Sequence, residues 1–201
     1  MDTATEQFAD RLHTSLSNTP GVLWWLLRPL WTLLAAGEPV TVDQLAARTD
    51  RPTEQVRDAL ATMPDTEYDP AGRIIGHGLT FNPTPHHYDT GGRTLYTWCA
   101  LDTLTFPAIL GHTARVSSPC RGTGEQVRLT VTPHGITNVT PATAVVSVVI
   151  PAAPTSVRDS FCNQSHFFAS PDAAHRWLTE HPDATVLPAI DAFAVGQRIV
   201  E

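Results

Sequence analysis

Apolar and polar positions alternate with helical spacing in the N-terminal third of the chain. Residues 3–16 form a weakly amphipathic pattern, and residues 22–36 form the most apolar run. This run is shorter than the roughly 20 apolar residues of a membrane span, and Arg28 and Pro29 interrupt it. It therefore predicts a buried core helix that is kinked or restarts at Pro29. Gly37 is suited to end that helix.

Two shorter helices and a hairpin are predicted next. Thr41 is suited to cap a helix over residues 42–49. Pro52 fits the first turn of a further helix over residues 52–63. Residues 67–76 have the composition of a hairpin, so this part of the chain resembles a winged helix-turn-helix.

Charge argues against nucleic-acid binding by this module. In the second helix of the motif, the acidic residues Glu54 and Asp58 balance the basic residues Arg51 and Arg57, so the helix has no basic face. The whole chain carries 13 basic and 20 acidic residues, a net charge of −7. Neither nucleic acid nor an anionic membrane surface is therefore an expected partner.

The second half of the chain mixes strands and helices. Residues 82–89, rich in proline and turn formers, predict a linker. Residues 127–139 predict a strand, a turn and a second strand, and the β-branched run 144–150 predicts a buried strand. Ser170 and Pro171 mark the start of a helix.

Together these elements predict an α+β protein. We expect an N-terminal winged-helix-like helical module, residues 1–81, packed on a C-terminal mixed α/β catalytic domain, residues 82–201. The polar, acidic start of the chain has none of the features of a secretory signal, which predicts a cytoplasmic protein. In that compartment cysteines are reactive, metal-binding or simply buried rather than cross-linked.

Two of the three cysteines form the strongest chemical signal when they are considered with one aspartate. Cys99 and Asp102 are three residues apart, so on a helix they share one face. Cys162 lies far downstream in a polar, loop-like segment. Two thiols and one carboxyl group suit chemistry on a soft, thiophilic metal. Desolvation raises the pKa of a carboxyl group and prepares it to carry a proton.

Less specific interpretations of the cysteines stay open at this stage. Cys99 lies among apolar residues and fits a small buried hydrophobe equally well. For Cys120 we favour a packing role. A cysteine nucleophile with His112 or His166 as its base is a third possibility. No Cys-x-x-Cys, phosphate-binding glycine loop or His-Glu-x-x-His motif is found.

Five segments, in their order and spacing, resemble bacterial organomercurial lyase (the alkylmercury lyase family). They are residues 98–104, 106–107, 114–120, 161–163 and 167–168. Each segment alone is a weak signal, but their combination is specific. The similarity covers most of the chain, including the helical N-terminal module.

The resemblance implies cleavage of a carbon–mercury bond by protonation, giving a hydrocarbon and Hg(II). By matching positions, it assigns the reaction and the binding of the Hg(II) product to Cys99, Asp102 and Cys162, and a structural role to Cys120. It implies no required cofactor, a thiol from solution as co-reactant, and hand-over of Hg(II) to mercuric reductase. The preference between alkyl and aryl mercurials stays open.

Five aromatic residues are candidates to line an apolar substrate pocket. They are Trp98, Phe106, Phe161, Phe167 and Phe168. The main alternative function is a winged-helix sensor of metal or redox state that uses its thiols. That alternative requires a basic recognition face, which this acidic chain lacks.

Overall fold

The computed structural model describes residues 3–19, 22–151 and 156–200. Its helices are α1 (Thr3–Ser17), α2 (Trp24–Leu34), α3 (Val42–Thr49), α4 (Thr53–Ala61), α5 (Ala100–Leu110), α6 (Val157–Ser160), α7 (Pro171–Glu180) and α8 (Ala189–Val200). Its strands are β1 (Glu67–Tyr68), β2 (Ile74–His77), β3 (Leu79–Thr80), β4 (His86–Asp89), β5 (Thr94–Thr97), β6 (Ala114–Pro119), β7 (Gln126–Thr132), β8 (Gly135–Thr140), β9 (Val145–Val148), β10 (Phe167–Phe168) and β11 (Thr185–Pro188). None of the described helices combines the length and apolar character needed to cross a lipid bilayer.

The predicted helical module and its hairpin are confirmed. At the start of α3 the Thr41 hydroxyl accepts a hydrogen bond from the Gln44 amide (3.1 Å), and the Gln44 side chain accepts one from the Thr41 amide (2.8 Å). This reciprocal pair is a capping box. Strands β1 and β2 pair antiparallel and form the wing hairpin.

Helix α2 is one continuous helix that includes Pro29, so the predicted restart is wrong. Proline lacks the N–H that would bond the carbonyl four residues earlier, which weakens the helix locally. Burial of one apolar face of α2 offsets this loss. The buried residues of that face are Leu26, Leu27, Leu30, Trp31 and Leu34.

An antiparallel sheet of eight strands extends from the wing hairpin into the second half of the chain. Its strand order is β1-β2-β3-β5-β4-β6-β7-β8. The predicted strand, turn and strand of residues 127–139 are β7 and β8 at one edge of this sheet. The division into domains at residues 81 and 82 stays a prediction.

The prediction of a linker over residues 82–89 is wrong in its second half. Strand β4 lies inside the large sheet, between β5 and β6. His86 and Tyr88 point into the core, whereas His87 is exposed. The four-residue alternation is a strand pattern, and the turn-forming residues beside it, including Pro83 and Pro85, concealed it.

A second, three-stranded sheet has the order β10-β9-β11. All four residues of β9 are buried, as the β-branched run predicted. Ser170 caps α7 by accepting a hydrogen bond from the Ala173 amide (3.2 Å), with Pro171 at the first helical position. Helix α5 packs against α8 and contacts strands of both sheets. Its central position explains why it is apolar on nearly all sides.

Candidate active site

Cys99 immediately precedes α5, and its side chain caps the first turn of that helix. Its backbone is extended (φ −142°, ψ 169°), and its Sγ accepts a hydrogen bond from the Asp102 amide at 3.4 Å. The prediction that both residues share one helix face is therefore wrong in detail, because Cys99 lies outside the helix. A residue that caps a helix still lies beside the third residue of its first turn, so the thiol and the carboxyl group are neighbours.

Ser165 brings the segment of Cys162 to the start of α5. The carbonyl of Ser165 accepts a hydrogen bond from the Ala100 amide (3.1 Å), and its hydroxyl accepts one from the Leu101 amide (3.1 Å). These amides belong to the first turn of α5 and have no partner within the helix. Cys162 itself begins a short 3₁₀ helix, Cys162–Gln164. Sequence reasoning missed the role of Ser165, and its only signal was a serine in a polar segment.

Strand β9 holds the same segment from its other side. The Ser147 hydroxyl donates to the carbonyl of Gln164 (2.8 Å) and accepts from the His166 amide (2.9 Å). The Ser147 amide also donates to the carbonyl of His166 (2.9 Å). The Cys162 segment is therefore fixed between β9 and the start of α5.

These contacts bring the three predicted site residues together. One ligand atom from each of Cys99, Asp102 and Cys162 lies within 4.8 Å of the others. The Cys162 thiol is 4.0 Å from Oδ2 of Asp102. Both cysteines are buried and free of disulfides, and Asp102 is partly exposed. The thiols of Cys99 and Cys162 are close enough to hydrogen-bond to each other, so one soft metal ion can bind both sulfurs.

The protonation states of the three groups follow from their burial and mutual contacts. Burial raises the pKa of Asp102 to about 6, although hydrogen bonds from Cys99 oppose this shift. Burial also raises the pKa of Cys99. Its hydrogen bond to Cys99, together with burial, raises the pKa of Cys162 well above the usual value. Hence both thiols are protonated at neutral pH, whereas the carboxyl group is ionised and able to accept a proton.

A largely apolar cavity opens beside these groups. Of the five aromatic residues predicted to line it, Trp98, Phe106 and Phe161 do so. Phe167 and Phe168 are fully buried in strand β10 and pack in the core instead. Several wall residues that the sequence did not predict come from α1, α2 and α8. They include Leu16, Trp24, Leu27, Trp31, Ile199 and Val200.

Gly78 keeps space open beside the carboxyl group. It has a positive φ of 74°, and its carbonyl accepts a hydrogen bond from the Trp98 amide (2.8 Å). A Cβ atom at this position would lie 3.1 Å from the ring of Phe106 and 3.9 Å from Oδ2 of Asp102. Both the conformation and the space therefore favour glycine.

The other candidate residues of the sequence lie outside this cluster. Among the described residues, the group of side chains able to hold a metal contains no histidine and does not include Cys120. His112 instead pairs with the Tyr88 hydroxyl (2.7 Å), and Cys120 is buried in the turn that follows β6. The ring of His166 packs against that of Trp177, with ring centres 5.9 Å apart. Neither candidate histidine therefore belongs to the described cluster around Cys99.

Comparison with known proteins identifies the family of both parts of the chain. Residues 79–201 match the model of the alkylmercury lyase family, and residues 7–78 match that of the helix-turn-helix domain of alkylmercury lyase. An alkylmercury lyase of Streptomyces lividans is 59% identical over 100% of this chain and 94% of its own length. That of Staphylococcus epidermidis is 49% identical over 96% and 90% of the two chains. That of Pseudomonas putida is 43% identical over 96% and 92%.

A solved structure, the mercury-bound form of MerB2, has the same fold. It superposes with a TM-score of 0.80 at 25% sequence identity, and the match covers 100% of both chains. The helix-turn-helix part thus matches a domain of lyases rather than a separate regulator. This chain belongs to the alkylmercury lyase family.

Proposed function

We propose that this chain cleaves carbon–mercury bonds by protonation, and that Cys99, Cys162 and Asp102 carry out the reaction. The convergence of two thiols and one carboxyl group beside an apolar cavity is the observation that supports this assignment. Mercury in an organomercurial is a soft centre, and thiolate is the soft ligand that proteins offer. The remaining wall of the cavity is largely apolar and suits an alkyl or aryl group.

The reaction balances with these three groups alone. An organomercury cation R–Hg⁺ and two thiols give R–H, one Hg(II) bound by Cys99 and Cys162, and one released proton. Two mercury–sulfur bonds form, and the carbon–mercury bond breaks. Its electron pair stays with the carbon, which takes the second proton. Binding of the metal supplies the driving force to deprotonate each thiol, as it does at other metal–thiolate sites.

Asp102 is the group suited to carry the proton from sulfur to carbon. Its carboxylate lies 4.0 Å from the Cys162 thiol and beside Cys99. With a pKa of about 6, it is ionised at neutral pH, yet it holds a transferred proton more readily than an exposed aspartate does. A carrier whose pKa lies near the working pH is effective both as a base and as an acid.

Incubation with phenylmercury and excess thiol tests the proposed function directly. We expect benzene in the headspace, measured by gas chromatography, in an amount that exceeds the amount of protein. Thiol and phenylmercury without protein supply the background rate. Benzene release no faster than this background would exclude the proposed reaction.

Release of the product requires a competing thiol, according to this proposal. Without thiol we expect at most one benzene per protein molecule, because two buried thiolates retain the Hg(II). Adding a small thiol should restore repeated turnover through ligand exchange, whereas a carboxylate buffer should not, because its oxygen is a hard ligand. Sustained turnover without any thiol would contradict this prediction.

The destination of the Hg(II) and the compartment belong to the same proposal. We place the reaction in the cytoplasm, where small thiols keep cysteines reduced, and the three cysteines of this chain are free. Mercuric reductase is the proposed recipient of the metal. Transfer between thiol pairs exchanges one soft sulfur ligand of the metal for another at each step.

The acid limb of the pH profile should report the ionisation of Asp102. We expect kcat/KM to fall about tenfold per pH unit below a pH of about 6, because a protonated Asp102 cannot accept the thiol proton. His77 lines the same cavity, but burial lowers its pKa to about 4, so its titration is separate. The measurement is kcat/KM for phenylmercury between pH 4.5 and 8, and a profile without an inflection near 6 would contradict the role of Asp102.

A further inference from the structure

The Glu67 carboxylate connects the wing hairpin to both segments that carry a thiol. Its Oε1 accepts hydrogen bonds from the Arg158 guanidinium (2.5 Å) and from Nε1 of Trp98 (3.1 Å). Its Oε2 accepts from the side-chain amide of Asn82 (3.0 Å) and from the Thr80 hydroxyl. Four donors on one carboxylate fix its position, and its side chain is only 12% exposed.

Both partners of Oε1 are close in sequence to a site cysteine. Trp98 immediately precedes Cys99. Arg158 belongs to α6, which ends two residues before Cys162. The guanidinium of Arg158 also lies 4.8 Å from the centre of the Trp98 ring. A shift of the Glu67 carboxylate would therefore be transmitted to both thiols.

A second carboxylate anchors the start of α6 to the same part of the helical module. Oδ1 of Asp65 accepts a hydrogen bond from the Ser156 hydroxyl (2.7 Å), and its Oδ2 accepts one from the Arg158 amide (3.3 Å). Asp65 thus holds the backbone of α6, whereas Glu67 holds the side chain of Arg158. Without Glu67, the backbone would stay attached while the guanidinium and the Trp98 indole lose their common partner.

We infer that Glu67 is a positioning residue that sets the distance between the two thiols, an inference that rests on the proposed function. Glu67 is not among the residues lining the cavity, so it acts through Trp98 and Arg158 rather than on the substrate. A misplacement of about 1 Å in a reactive group lowers rates by roughly 10²-fold. The wing hairpin of the helical module is in this way part of the catalytic apparatus.

Three variants separate positioning from stability. Glu67→Ala removes all four hydrogen bonds, and we expect kcat to fall by roughly 10- to 100-fold with KM for phenylmercury unchanged, because the apolar cavity stays intact. Glu67→Gln keeps an oxygen for Arg158 and Trp98, and its amide can donate to the Thr80 hydroxyl. It should therefore retain kcat within a few-fold of the unmodified chain.

Asp69→Ala is the matched control on the same hairpin. Asp69 accepts from the amides of Ala71 and Arg73 and pairs with the Arg73 side chain, but none of these partners leads to a cysteine. Thermal melting of each variant identifies a temperature at which all of them are folded, and kcat is compared at that temperature. If Glu67 only stabilised the fold, both alanine variants would melt earlier and keep their kcat.

Affinity for inorganic Hg²⁺ is a readout that does not depend on turnover. Titration against a competing dithiol should show weaker binding by Glu67→Ala and unchanged binding by Asp69→Ala. If Glu67→Ala does not fold, Glu67→Asp takes its place. It shortens the side chain by one methylene group and should show the same losses of kcat and of Hg²⁺ affinity. Unchanged kcat and Hg²⁺ affinity in the folded variants would overturn the inference. Failure of the unmodified chain to release benzene would instead refute the proposed function.

Discussion

Serine in place of Cys99 or Cys162 is expected to lower benzene release from phenylmercury by roughly 10³-fold or more. Hydroxyl oxygen is a hard ligand that binds mercury weakly, and its proton is far less acidic than that of a thiol. Each cysteine supplies one of the two sulfurs within 4.8 Å of each other. Loss of either sulfur leaves one thiol. It can still bind the organomercurial, but the mercury then lacks its second sulfur ligand.

Cys120→Ser is the matched control for both variants, because Cys120 is buried but lies outside the cluster. Burial alone would raise the pKa of Cys120, but hydrogen bonds from Thr123 and from backbone groups outweigh it and lower the pKa. The Cys120 sulfur is therefore held in place by these hydrogen bonds. We expect Cys120→Ser to lower the melting temperature and to keep kcat within a few-fold. Turnover near that of the unmodified chain in Cys99→Ser or Cys162→Ser would rule out the two-thiol mechanism.

Cys99, Asp102 and Cys162 could be selected as candidate site residues from the sequence because their residue types are rare and specific. Only three cysteines occur in 201 residues, and one of them lies three positions before an aspartate in an apolar segment. An aspartate in that setting either has a partner or holds a proton. The helix starts at Thr41 and Ser170 were also predictable, since capping depends on residues that are neighbours in sequence.

The convergence of the site was not predictable from local patterns. It depends on Ser165, whose hydroxyl bonds an amide 64 residues earlier in the chain, and on Ser147 in β9. A serine in a polar segment has no property that indicates such a partner. The walls of the cavity were missed for the same reason, because α1, α2 and α8 contribute them from both ends of the chain.

The helix-turn-helix module forms part of the wall of the cavity beside the three candidate site residues. Trp31 of α2 lines the cavity, and its indole donates to the carbonyl of His77 at the end of β2 (2.6 Å). Arg51, at the turn of the motif, packs over the ring of Trp25 at 4.4 Å. This cation–π contact stabilises the module internally.

Asp102→Asn is expected to lower kcat by roughly 10²- to 10⁴-fold while the chain still binds one Hg²⁺. The amide is nearly the same size as the carboxyl group but can neither accept the thiol proton nor deliver it to carbon. Both thiols remain, so affinity for Hg²⁺ should be retained. The measurements are single-turnover benzene release and Hg²⁺ titration against a competing dithiol, and normal release by the variant would exclude Asp102 as the proton carrier.

The same substitution should stabilise the protein above pH 6. Burial raises the pKa of Asp102 from 3.8 to about 6, so the folded state holds its proton more tightly than the unfolded state. The carboxylate therefore destabilises the fold as pH rises from 4 through 6, by up to about 3 kcal/mol at pH 8, while the neutral amide does not. Urea denaturation at pH 4 and pH 8 measures the free energy of unfolding of both proteins. We expect the extra free energy of unfolding of Asp102→Asn at pH 8 to disappear at pH 4, because the buried carboxyl group lowers stability only while it is ionised. A gain of equal size at both pH values would mean that packing, and not ionisation, separates the two proteins.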